Sequence, residues 1–120
     1  IYNNHRNSIA VERAQLGVLT QELQNRQQRQ FLQTAVQQAI NDTRAAREAW
    51  LAGRRAVEAA QAAFDNAQKR FDLGAINALQ YSTARITLDS AQVDLIRAKY
   101  QYLFNLKNVE FYMGKPLQLN

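Results

Sequence analysis

Apolar and small residues recur in alternating steps of three and four over more than half the chain. One row reads Val36, Ala39, Thr43, Ala46, Trp50, Gly53, Val57, Ala60, Phe64, Ala67 and Phe71, with large and small residues interleaved. This is a heptad seam, and it predicts a helix packed along its length against another helix. A second row at the same spacing, displaced around the helix, consists of Ala45, Ala49, Ala52, Ala56, Ala59 and Ala63. Further on, Tyr81, Ala84, Leu88, Ala91, Leu95, Ala98 and Tyr102 form one line, and Leu79, Ile86, Val93, Ile96, Tyr100 and Leu103 lie close to another. A two-stranded coiled coil needs one narrow stripe. Two rows per helix predict that each helix has a neighbour on either side, as in a sheet or closed ring of helices.

The boundaries follow from local chemistry. No proline falls between Ser8 and Leu73, and most residues there are strong helix formers. The expectation is one helix over about 8–73, capped by Ser8, with Glu12 complementing its dipole and Gly74 ending it. Such a helix would be on the order of 100 Å long. A turn over 74–77 leads to a second helix over about 78–113, opened by Asn77 with Gln80 three residues on in a capping-box pattern. Gly114 and Pro116 stop it, leaving a tail over 114–120. The short turn makes the helices antiparallel. The predicted class is all-α, a long antiparallel helical hairpin of coiled-coil type. Because the second helix is about half as long as the first, residues before about Gln37 need a partner from elsewhere. From Leu16 to Gln38 the rows weaken. Val11, Val18 and Leu32 hold one, Ile9, Leu16 and Leu23 another, with many glutamines between.

Composition agrees. Four glycines and one proline in 120 residues leave little material for turns. With no cysteine and one histidine, a disulfide framework, a cysteine nucleophile and a multi-histidine metal site are excluded. No cofactor or metal site is expected. The uncharged stretch over residues 73–84 is too short and too polar for a membrane helix. The opening residues carry neither a leader nor an initiator methionine, and the chain reads as a piece of a longer protein.

The net charge of +5 makes nucleic acid conceivable. A DNA-reading helix gathers its cations on one stripe. Here Arg6, Arg13, Arg26, Arg29, Arg44, Arg47, Arg54 and Arg55 are spread among acids, so a solvated face is expected and no nucleic-acid partner. Catalytic constellations are missing: Asp89 and Asp94 do not share a helix face, nor do Asp42 and Glu48, and no phosphate loop or nucleophile motif occurs. The chain is not expected to be an enzyme. Trp50, Phe64 and Phe71 sit at seam positions and are expected to pack in the core. Gly53 is expected to mark a close helix approach. At the turn, Leu73, Ala75 and Ile76 put apolar side chains at an exposed tip, which favours a docking surface over a plain connection.

Residues 70–88 resemble the turn of the outer-membrane efflux protein family, the trimeric channel-tunnels of Gram-negative multidrug efflux and type I secretion. Arg70, Phe71, Gly74, Leu79, Ala84 and Leu88 match its repeat. Ala91, Leu95, Ala98, Tyr100, Tyr102 and Leu103 look like its closing helix, and residues 111–117 like its usual ending. Asn4, Arg6, Asn7, Ile9 and Ala10 are similar to the segment where a transmembrane strand passes into the long periplasmic helix. The resemblance implies a periplasmic hairpin from the second half of an outer-membrane protein, forming part of an α-helical barrel in a homotrimer. It implies a periplasmic adaptor docked at Leu73, Gly74, Ala75, Ile76 and Asn77, an inner-membrane transporter beyond the adaptor, and a tunnel entrance at Phe71, Gln80, Tyr81 and Thr83. Members of the family carry acidic residues at the positions of Gln80 and Thr83 and a basic one at Ile76. The entrance here is expected to be neutral. A coiled-coil interaction module, such as the hairpin of a periplasmic adaptor, is the alternative.

Overall fold

A computed structural model describes residues 2–114, with side chains from Asn4 onward. Two helices account for nearly all of them: α1, Tyr2–Asp72, and α2, Ala78–Tyr112. No strand occurs among the described residues. The expected tail beyond Gly114, including Pro116, lies outside them. By contacts the chain divides into two units, residues 1–38 and residues 39 onward.

The start of α1 differs from expectation. Ser8 is not a cap, because the helix already runs from Tyr2 and the Ser8 hydroxyl donates to the His5 carbonyl one turn back. The first turn therefore carries no acid, and Glu12 lies well inside the helix. Thr20 and Thr34 back-bond in the same way to the Leu16 and Gln30 carbonyls, which satisfies hydroxyls that would otherwise compete with the helix. In the first unit every residue from 4 to 34 is exposed, including Leu16, Leu23 and Phe31.

The second unit is an antiparallel hairpin. Lys69 and Arg70 occupy the last turn of α1, where cations complement the dipole. The chain then leaves the helix through a Schellman turn: Gly74 N–H donates to the Phe71 carbonyl at 2.9 Å and Ala75 N–H to the Arg70 carbonyl at 2.8 Å. Gly74 sits at φ 75°, a conformation that disfavours a Cβ. At the start of α2 the capping box forms reciprocally. The Gln80 N–H donates to Asn77 Oδ1 at 2.9 Å, and the Asn77 N–H donates to Gln80 Oε1 at 3.2 Å. Asn77→Ala is expected to cost about 1 kcal/mol of hairpin stability in a urea titration, and Asn77→Asp to retain most of it. The far end of α2 closes at Met113, followed by Gly114 at φ 78°.

The seam read from the sequence is the packed one. Ala39, Ala46, Ala60 and Leu88 are buried; the other seam residues of both helices are half-buried, with only Phe71 marginally exposed. Trp50 stacks on Tyr102 with ring centroids 5.6 Å apart, and Tyr81 lies against both Phe71 at 4.8 Å and Phe64 at 5.6 Å. From Trp50 to Phe71 on α1 and from Tyr102 back to Tyr81 on α2 is the same distance along the chain, three heptads, so the register does not slip between the two stacks. Trp50, Phe64 and Phe71 thus pack in the seam against tyrosines of α2. Gly53 faces Leu95: a Cβ there would meet Leu95 Cδ1 at 3.4 Å and its Cα at 3.6 Å. That is ordinary contact, so the site tolerates a methyl group while keeping the two backbones close. Thr43 Oγ1 adds a polar link, lying 2.7 Å from the Ala39 carbonyl and 3.1 Å from the Asn105 carbonyl of α2.

Candidate assembly and docking surfaces

With the first seam used inside the chain, the second rows are left uncovered. All six alanines of the α1 row are exposed, as are Leu79, Ile86, Val93, Ile96, Tyr100 and Leu103 of α2. Their placement follows from heptad geometry. The alanines stand one position before or two after the large seam residues of α1, whereas most of the α2 row stands one after or two before those of α2. In an antiparallel pair these positions lie on opposite flanks. The hairpin therefore carries two separate apolar edges, one of small residues and one of large.

Sequence-predicted tip residues fall as follows. Leu73 is 83% exposed and Gly74 and Ala75 are exposed, while Ile76 is half-buried and the Asn77 side chain is engaged in the cap. Of the tunnel-entrance set, Phe71 and Tyr81 stack on each other across the hairpin. Gln80 is exposed with its side-chain oxygen accepting from Asn77, and Thr83 is exposed with its hydroxyl donating to the Leu79 carbonyl. The structure brings these residues to one end of the second unit and gives none of the turn segment 73–84 a charge.

No cluster of His, Asp or Glu that could hold an ion occurs among the described residues, and no described helix is long and apolar enough to cross a membrane. Arg97 pairs with Asp94 at 3.9 Å and Lys107 with Glu110 at 3.3 Å, each within α2.

A family model described as "Outer membrane efflux protein" matches residues 1–115. The chain belongs to the outer membrane efflux protein family. The match runs through α1, the turn and α2, so both uncovered rows and the tip belong to the efflux-protein segment. Neither a curated protein nor a solved structure matches the chain. The family is one of channels, and its membership carries the expectation of transport in place of catalysis.

Some surface features of this family member escaped the sequence reading. Phe104, 69% exposed, stands off both heptad rows of α2. Its signal was a large aromatic residue where the repeat predicts a polar one. Arg54, read as part of a wetted face, lies with its guanidinium 5.7 Å over the Trp50 ring, a cation–π arrangement that also shields the stack from water.

Proposed function

We propose that the chain is a periplasmic wall element of a trimeric outer-membrane efflux or type I secretion channel, conducting drugs or other exported substrates. Its tip docks a periplasmic adaptor that links the channel to an inner-membrane transporter. The observation that carries this reading is the pair of uncovered apolar rows on opposite flanks of a hairpin from an efflux-protein family. Small residues on one edge and large on the other favour head-to-tail contact, in which an edge meets a different edge of its neighbour, and such contacts form a ring when the rotation between neighbours closes. The exposed residues 4–34 of α1 support the same reading, since they need helices supplied by other parts of the assembly.

An adaptor hairpin is the competing reading, and the helix lengths disfavour it: α1 has 71 residues and α2 has 35, where a free-standing coiled-coil hairpin matches its arms. At the tip, Leu73 is the most exposed large apolar side chain of the turn and touches nothing that folding needs. In the full-length protein, Leu73→Glu is expected to leave the trimer intact while lowering export by about tenfold, the effect of placing one charge in an apolar contact. Drug-susceptibility assays alongside quantitation of assembled trimer check this. Wild-type export by the variant would exclude an apolar docking tip.

A further inference from the structure

The hairpin has a groove on one flank that neither the seam nor the uncovered rows explain. It is lined by Ile40, Thr43, Arg44 and Arg47 of α1 and by Tyr102 and Val109 of α2, and has a volume of about 240 Å³. Its floor is apolar and aromatic: Tyr102 is held flat by its stack on Trp50, and Ile40 and Val109 are half-buried beside it. Thr43 contributes no free donor, because its hydroxyl is turned to the Ala39 and Asn105 carbonyls. The rim is basic. Arg44 and Arg47 are exposed, and no carboxylate lies within ion-pair distance of either among the described residues. Glu48, one turn beyond Arg44, does not reach it, and Glu110 beside Val109 is taken by Lys107.

Two guanidinium groups one turn apart match two carboxylates one turn apart on an opposing helix. An apolar floor between them accepts a side chain that would otherwise meet water. We propose that this groove docks an acidic segment of a partner protein, with carboxylates on Arg44 and Arg47 and an apolar side chain against Tyr102, Ile40 and Val109. The choice of occupant rests on charge complementarity: a neutral helix would leave two arginines unpaired beside it, and a basic one would be repelled. The inference does not depend on the channel reading, since it concerns only side chains within the second unit.

The test uses the 120-residue chain and a helical 15-residue probe peptide with two glutamates at i and i+3, a leucine at i+4 on the same face and otherwise neutral residues. Trp50, the chain's single tryptophan, reports binding through its contact with Tyr102. Saturable binding is expected, weakened about tenfold or more by Arg44→Gln with Arg47→Gln. Arg13→Gln with Arg26→Gln, which removes the same charge from the first unit, is expected to leave it unchanged. Circular dichroism shows that each variant keeps its helices. Equal weakening by both double variants, equal binding of a probe with both glutamates replaced by glutamine, or competition by inorganic phosphate or phosphatidylglycerol vesicles at the probe's own affinity would each overturn the proposal.

Discussion

Leu88→Ala should cost about 2–4 kcal/mol of stability, the largest effect of any single apolar truncation in the chain. Among the described residues Leu88 is the one large side chain that is buried, at 6% exposure. Its truncation loses the transfer energy of the removed atoms and leaves a cavity in the seam. Leu79, on the same helix but 73% exposed, is the matched control. Leu79→Ala should change stability by less than about 0.5 kcal/mol at concentrations where the chain is monomeric. Urea denaturation followed by circular dichroism separates the two, and similar costs would mean that the seam does not hold the helices together.

The second large effect concerns assembly. Replacing Ala52 and Ala59 together by glutamate puts two charges on the exposed alanine row. Folding should survive, since both positions face water and glutamate is a good helix former. Association should not: burying an unpaired carboxylate against an apolar partner costs several kcal/mol, enough to weaken contact by at least about a hundredfold. In the full-length protein the expected result is loss of the trimer on semi-native gels, and export should fall with it. Arg55→Glu, on the polar face, should leave the trimer in place. Trimer levels equal to wild type in the double glutamate variant would show that the alanine row is not a contact.

Much of this was legible in the sequence because heptad spacing is a direct record of helix packing. The residues from Val36 to Phe71 and from Tyr81 to Tyr102 named the buried seam almost without error. The capping box at Asn77 and Gln80 and the turn at Gly74 were readable because each depends on residues within a few positions. The start of α1 was not, since Ser8 has the same side chain whether it caps a helix or bonds back to His5 inside one. Nor was the groove at Arg44 and Arg47, which exists only because the register of the two helices brings Tyr102 and Val109 alongside. Arginines on a helix read as a wetted face until a second helix supplies the apolar floor.

On the proposed reading the hairpin keeps one seam for itself and offers its other apolar rows to neighbours. Multi-angle light scattering of the 120-residue chain over a wide concentration range tests it most directly. Reversible association is predicted, shifting with concentration and abolished by Ala52→Glu with Ala59→Glu at unchanged helicity. A chain that stays strictly monomeric at the highest concentration would contradict it.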